Sequence, residues 1–263
     1  MKYFTIIMPN YNNARWLEKS IGSVLGQTFK DYGIVFIDDV SDDDSYARAQ
    51  SLIGAENIVL RNKEKCWNGG SRNVGLGYYT DSEYTLFLDS DDWFTSSTIL
   101  QDLHDFLEAH DEPDCVRLPY EMIVGNDEPV PIMLNDDNAD KLCNSIFVAC
   151  WTKCIKSDLI VPFPENTLME DVVQHIAQCD VIGYDVAVFN KPVVAYNRNN
   201  SNSCSIEQNQ DLQHGKWQSS MFRYMADLLD LELEHDYCKR QRDWRADICL
   251  KNIKKDKYTQ SVE

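Results

Sequence analysis

Three carboxylates fall within four residues at Asp89-Ser90-Asp91-Asp92, directly after the apolar run Tyr84-Thr85-Leu86-Phe87-Leu88. Like charges this close repel one another, and a cation or a set of ligand hydroxyls relieves that repulsion. Clustered oxygen donors suit a hard divalent ion that also carries phosphates, Mg²⁺ or Mn²⁺. The simpler alternative is a solvated turn capping the next helix, since Asp and Ser favour both roles. Two other acidic groups stand in comparable places. Ile34-Val35-Phe36-Ile37 runs into Asp38-Asp39-Val40-Ser41-Asp42-Asp43-Asp44, and Glu170-Asp171 opens the apolar stretch Val172-Val173. Adjacent residues on a helix point about 100° apart, so one acid of the last pair can face a cleft while the other holds backbone or a basic partner. A helix-start pair favoured by the macrodipole is the alternative there.

The elements that must position these acids follow from hydrophobic periodicity. Phe4 to Met8 reads as a first strand ended by Pro9, and Pro9-Asn10-Tyr11-Asn12-Asn13 as a loop in which Asn12 or Asn13 caps the next helix. Trp16, Leu17, Ile21, Val24 and Leu25 recur at helical spacing. The continuous apolar run 34–37 has the composition of a strand buried on both faces of a parallel sheet. A helix over about 45–54 and a strand at Ile58-Val59-Leu60 complete a βαβαβ unit. The pattern predicts a doubly wound α/β sheet, and carboxylates at strand carboxyl ends then lie where such sheets bind ligands. A helix over about 97–110 follows, then a strand over 114–120, a loop or hairpin insertion over about 124–142, and a strand over 147–155 leading to a helix start. Two final strands are expected at Val186–Phe189 and Val193–Tyr196.

The 263 residues, 43% hydrophobic and 26% charged, are enough to bury a substantial core. A balance of 25 Lys+Arg against 43 Asp+Glu gives −18, which disfavours nucleic acid and anionic membrane surfaces as general partners. Lys251, Lys254, Lys255 and Lys257 form a local basic tail, read as a solvated helix end or frayed terminus, with contact to a membrane or polyanion as the alternative. Nine scattered cysteines contain no C-x-x-C pair, which argues against a zinc site or a disulfide framework. The apolar start is too short for a signal peptide, and no stretch approaches the roughly 20 apolar residues of a membrane span. These features lead to the expectation of a cytoplasmic protein, at most peripheral at a membrane.

Several separated motifs agree in order and spacing with family-2 glycosyltransferases of the GT-A fold. The chain resembles that family through Pro9-Asn10-Tyr11-Asn12, Gln27-Thr28-Phe29, Asp38-Asp39-Val40-Ser41, Arg72-Asn73-Val74-Gly75 and Asp89-Ser90-Asp91-Asp92. It does so again through Trp151-Thr152-Lys153, Phe163-Pro164, Glu170-Asp171, and Tyr196-Asn197-Arg198 with Ser203. The likeness covers about residues 1–205. It implies a GT-A, Rossmann-like, mixed but mainly parallel sheet flanked by helices, with 1–98 as the nucleotide-sugar half and 99–205 as the acceptor half. Residues 206–263 form a C-terminal helical extension, for which packing on the catalytic domain is the default and dimerisation or partner docking the alternatives.

The same resemblance implies an inverting, metal-dependent transferase using a nucleotide-sugar donor. Pro9, Tyr11 and Asn12 hold the nucleotide, Tyr11 packing on the base. Asp39 accepts the imide N–H of uracil, which points to a UDP-sugar. Ser41 and Asp42 can cap the following helix, leaving Asp39 free for this. Arg72 reaches the diphosphate from a glycine-bearing helix start. Asp89 and Asp91, with Ser90 between them, meet the ribose, the metal or both, and Asp91 or Asp92 holds the metal. Arg198 and Ser203 belong to a segment that folds over the diphosphate, Trp151 is a platform for a sugar ring, and Asp171 is the general base with Glu170 in support. Val40 stands where the motif has Gly, and Asn200 where the family often has His, which removes a cation near the phosphates. The expected acceptor is a saccharide or polyol chain of a bacterial surface polymer. The alternatives are a hydroxyl on a modified base of viral DNA, against which the charge counts, and a binding module without catalysis.

Overall fold

A computed structural model describes residues 2–78, 81–133, 148–165, 167, 169–183, 186–201, 216–236 and 238–247, with backbone alone for 216–222. Its centre is β1 (Lys2–Asn10), paired in parallel with β2 (Tyr32–Asp38) on one side and β4 (Ser82–Phe87) on the other, while β3 (Ile58–Arg61) extends the β2 side. Every residue of β2 is buried, as are Phe4 to Asn10 of β1. A parallel strand covered by helices has no wet face, and the unbroken apolar runs in the sequence are the trace of that. The expected βαβαβ unit is present, connected by α1 (Leu17–Leu25) and α2 (Ser45–Leu52). Pro9 does not end β1, which runs on to Asn10 opposite Asp38. A missing N–H so near a strand end removes at most one ladder bond.

Helix α3 (Trp67–Leu76) crosses β1 and β2 at close range. A Cβ on Gly75 would come within 2.6 Å of Ile7 Cγ2 and 2.9 Å of Ile37 Cδ1, so this glycine permits the approach. Beyond β4 come the short β5 (Trp93–Phe94) and α4 (Ile99–Ala109). Buried Gln27 joins the two helix layers: its Nε2 donates to the carbonyls of Ser23 and Ser96, and its Oε1 accepts from Leu100 N. This is the structural content of the Gln27-Thr28-Phe29 motif.

The stretch 114–120 is two strands. β6 (Cys115–Arg117) stays in the large sheet, and β7 (Tyr120–Ile123) enters a second one. Pro119 sits at the break, where its ring and missing N–H favour an exit from the first ladder. β7 and β8 (Val130–Ile132) form an antiparallel hairpin, as the insertion suggested; residues 134–147 lie outside the described residues. Residues 150–152 form a 3₁₀ turn instead of strand, because the amide and hydroxyl of Thr152 both bond to the Ala149 carbonyl. Next come β9 (Lys153–Lys156), α5 (Glu170–Ile182), β10 (Ala187–Val188) and β11 (Val194–Asn197). The large sheet has the order β10-β6-β9-β4-β1-β2-β3, parallel except for β9, and the small one β5-β11-β7-β8. This is the mixed, mainly parallel α/β sheet that was expected.

A second core lies away from the sheet, where Val173, Ile176 and Cys179 of α5 pack with Tyr224 and Leu228 of α6 (Lys216–Leu229) and with Cys238. Among the described residues the helical extension therefore covers α5. Residues 238–247 are also helical, and the basic tail lies outside the described residues. No helix among the described residues is long and apolar enough to cross a membrane.

Candidate active site

Strand β1 separates a connection to β2 on one side from the returning β4 on the other, so the β1/β4 boundary is the point where strand order reverses. Ligands of open α/β sheets bind in the crevice at such a point, outside the strand carboxyl ends. Three acid-bearing segments lead to it.

Strand β2 ends in Asp38 and Asp39, both buried. Asp38 accepts from Asn10 Nδ2 at 2.9 Å and from Ser41 N at 3.1 Å, tying the ends of β1 and β2 together. Asp39 is not left free. Its Oδ1 accepts from Asn62 Nδ2 (2.8 Å) and Cys66 N (2.7 Å), and its Oδ2 from Trp67 N (2.9 Å), so it anchors the start of α3. The helix Asp39 caps is not the next one, α2, which has no side-chain cap, but one whose start lies 28 residues further on. Val40 between these groups has φ +60°, a strained value for a β-branched residue. The sequence hint was its place in a motif that has Gly there.

The first loop leans on the same acids. Asn12, at φ +54°, does not cap α1: its Oδ1 accepts from Asp42 N at 2.7 Å, and its own N–H bonds to Ser41 Oγ at 2.9 Å. Asn13 does not cap either, since its Nδ2 donates to Ser90 Oγ at 3.0 Å; α1 starts after Trp16 without a side-chain cap. Ser90 is buried and occupied by that bond. Pro9 is buried in β1 below the loop, and Tyr11 is half-exposed, its hydroxyl 3.4 Å from Asp42 Oδ2.

After β4 the three carboxylates separate in role. Asp89 is partly exposed and pairs with Arg72 at 2.7 Å. Asp91 is partly buried and accepts from Asn200 Nδ2 at 2.7 Å; burial, then the charge of Asp89, pushes its pKa up to about 6. Asp92 is 1% exposed, and its Oδ1 accepts from Asn197 N at 2.8 Å while its Oδ2 has no partner. Burial and the neighbouring Asp91 and Asp89 raise the Asp92 pKa well above the usual carboxylate range. Asp92 is thus a pillar beneath β11, and of the two metal candidates Asp91 is the accessible one. Among the described residues no group of three or more His, Cys, Asp or Glu side chains is placed to hold an ion by itself. One partly exposed carboxylate fits an ion that brings phosphates and waters as its remaining ligands, which is the habit of Mg²⁺ and of similar hard ions.

Arg72 lies at the base of the crevice and is 1% exposed. One terminal nitrogen donates to Glu170 Oε1 (2.8 Å) and Asp171 Oδ1 (3.2 Å), the other to Asp89 Oδ1 (2.7 Å). The guanidinium fork expected for a diphosphate is therefore spent on three carboxylates, joining the acids after β4 to those at the start of α5. Burial of the chain around it explains the difference: three buried or half-buried anions need a cation nearer than solvent. The close fit depends on Gly69, where a Cβ would overlap the Pro164 carbonyl oxygen and lie 3.2 and 3.3 Å from Glu170 Cβ and Cγ. The glycine expected to let phosphates approach instead lets α5 approach. Asn73 fastens the same junction, accepting from Phe163 N at 2.8 Å and donating to Phe163 O at 2.9 Å.

Glu170 is buried, whereas the Asp171 side chain is 28% exposed. Desolvation, followed by the Asp171 charge, raises the Glu170 pKa against the pull of Arg72. Desolvation also raises Asp171, opposed by Arg72 and by a hydrogen bond from the Cys150 thiol. That thiol, itself buried and held far from ionisation by desolvation, was not singled out by sequence reasoning, since a lone Cys carries no signal.

Trp151 does not present a ring to the crevice. It is 7% exposed, with Tyr120 edge-on at 4.9 Å and Tyr196 at 5.2 Å. Arg198 is exposed, its guanidinium 3.2 Å from the Tyr196 hydroxyl. Ser203 lies outside the described residues. Asn200 holds the segment down: its Nδ2 also donates to Asn13 Oδ1 at 2.8 Å, and its Oδ1 accepts from Arg15 at 3.1 Å. The replacement of His by Asn was the signal, but only the contacts reveal a clamp joining the first loop, Asp91 and the end of β11.

The family model for glycosyl transferase family 2 matches residues 5–158. The chain is 35% identical over 159 residues to the poly(ribitol-phosphate) beta-N-acetylglucosaminyltransferase TarP of Staphylococcus aureus, an alignment covering 57% of this chain and 47% of TarP. It thus spans about half the length of that relative. Among solved structures it is similar to S. aureus TarS 1–349 in complex with UDP-GlcNAc, with TM-score 0.70, 20% identity, and coverage of 92% of this chain and 70% of that one. It is also similar to glucosyl-3-phosphoglycerate synthase of Mycobacterium tuberculosis in complex with Mn²⁺, UDP and glucosyl-3-phosphoglycerate, with TM-score 0.60, 15% identity, and coverage of 86% and 80%. These structural likenesses establish the GT-A fold.

Proposed function

Because the chain belongs to glycosyl transferase family 2, we propose that it moves a sugar from a UDP-sugar to a hydroxyl of a bacterial surface glycan or polyol polymer, with inversion and with a divalent ion. The observation that carries this reading is the convergence on Arg72 of Asp89, from the strand end beside the nucleotide loop, with Glu170 and Asp171 from α5. It supports a reading in which Asp171, whose side chain is 28% exposed, serves as the base at the strand end that carries Asp89 and Asp91.

In this mechanism Asp171 takes the proton of the acceptor hydroxyl while that oxygen bonds to the anomeric carbon and the bond to the diphosphate breaks on the opposite face. Its raised pKa brings a carboxylate base nearer to a neutral working pH, and Arg72 with Glu170 fixes its direction. Asp91, held by Asn200, is the residue that would hold Mn²⁺ or Mg²⁺. Such an ion, when bound, offsets the charge that gathers on the departing diphosphate. Tyr11 and the loop around Asn12 take the nucleoside, and Arg198 stands at the outer rim. The likeness to TarP, named for a poly(ribitol-phosphate) acceptor, supports a polyol-containing acceptor.

The test is a titration with UDP, GDP and dTDP, with and without Mn²⁺, followed by transfer assays of Asp171→Asn. UDP should bind most tightly and Mn²⁺ should strengthen it. The variant should keep UDP binding and lose transfer by roughly 10²- to 10⁴-fold. Unchanged transfer would overturn the assignment of the base, and absence of nucleotide binding would overturn the enzyme reading.

A further inference from the structure

Tyr11 and Trp67 stand on either side of the loop that Asp39 anchors, and they share one cation. Lys65 Nζ lies 2.9 Å from the Tyr11 ring centroid and 5.0 Å from that of Trp67. Lys65 is exposed and forms no ion pair with a described carboxylate. The backbone beneath it is held firmly: Cys66 N and Trp67 N both donate to Asp39, and Trp67 sits at φ +60° with 36% of its surface exposed. Strained non-glycine backbone persists where surrounding contacts over-determine it, and it is enriched at ligand sites. A free ammonium has water as its alternative, so its seat on the Tyr11 face is a specific contact.

Taking the nucleotide reading above as its premise, we propose that Lys65 is the place-holder of the base slot. In the empty site it occupies the Tyr11 face, and an arriving base displaces it toward the phosphates of the same ligand. An ammonium 2.9 Å from the ring centre and a stacked base cannot share that face. Stacking on an aromatic ring accepts any base, so an uncovered Tyr11 would also take nucleosides and other flat ligands. With Lys65 in place, a ligand must bring an anion that gives the displaced ammonium a partner. Arg72 cannot provide for that anion, because its terminal nitrogens are committed to Asp89, Glu170 and Asp171. Lys65 lies two residues ahead of α3, at the helix end whose amides favour negative charge.

The experiment is calorimetric titration of the full chain and of Lys65→Ala with uridine and with UDP, at low and at roughly physiological salt. Removing the cation from the ring should tighten uridine binding about two- to fivefold. The same change should weaken UDP binding by a similar factor and flatten its salt dependence. Shifts of the two ligands in the same direction, or no shift in either, would overturn the place-holder role while leaving the nucleotide reading intact. Failure of the unmodified chain to bind either ligand would remove both. Because Lys65 is a surface residue, circular dichroism of the variant should match the original chain.

Discussion

Val40 offers the sharpest test of the backbone geometry around the nucleotide loop. Its φ of +60° is enforced by neighbours: Ser41 N donates to Asp38, Ser41 Oγ accepts from Asn10 Nδ2 and Asn12 N, and Arg61 donates to Ser41 O. A left-handed conformation costs an ordinary L-residue about 1–2 kcal/mol. At an ordinary position glycine is worse than alanine by roughly 0.5–1 kcal/mol because of the freedom it loses on folding. Comparing Val40→Gly with Val40→Ala cancels most of the lost side-chain packing, since both variants remove it. The glycine variant should therefore be the more stable of the two by about 0.5–1 kcal/mol, the reverse of the usual order. For a chain of this size that corresponds to a difference of roughly 1–4 °C in Tm. Urea unfolding of the two variants, checked for equal m values, measures it directly. An alanine variant as stable as the glycine variant, or more so, would refute the positive φ at this position.

Two further expectations concern α5 and its partners. Gly69→Ala should lower stability by about 1–3 kcal/mol and reduce transfer, because the obstacle is the Pro164 carbonyl and the stem of Glu170; native-like melting of this variant would argue against so close an approach of α3 and α5. Asp180 accepts from Glu234 N (2.7 Å) and His235 N (2.8 Å) and lies 3.1 Å from His235 Nδ1, and although burial alone would raise its pKa, these bonds and the His235 ring together lower it. A depressed carboxylate contributes stability that is present above its unfolded pKa and lost as pH falls through its folded one. The chain should thus exceed Asp180→Asn by about 1 kcal/mol near neutrality, with the gap closing below about pH 4; urea midpoints showing a gap that persists undiminished well below about pH 4 would refute the assignment.

The fold was legible where one physical demand dominates. Unbroken apolar runs such as Ile34 to Ile37 mark parallel strands because such strands are covered on both faces, and α1 and α4 follow from helical spacing; α3 begins at Trp67, ahead of the glycines that were expected to precede it. The Leu118-Pro119 break was harder, since a proline inside an apolar run marks an exit from a ladder without naming the sheet the chain enters next.

The sequence by itself determined the family, the order of the acid-bearing segments, and the residue types at the site, because those depend on motifs that are local in the chain. The tertiary structure decided how the charges are paired. Arg72 meets Asp89 at a separation of 17 residues and Asp171 at 99, and Asp39 meets Trp67 at 28. No local pattern records such pairings. Burial then separates the carboxylates: Asp92 and Glu170 are buried, Asp91 is partly buried against Asn200, and the Asp171 side chain stays 28% exposed. Desolvation and charge are set by what surrounds a group in space, and that is why residue type alone could name the acids without dividing their work.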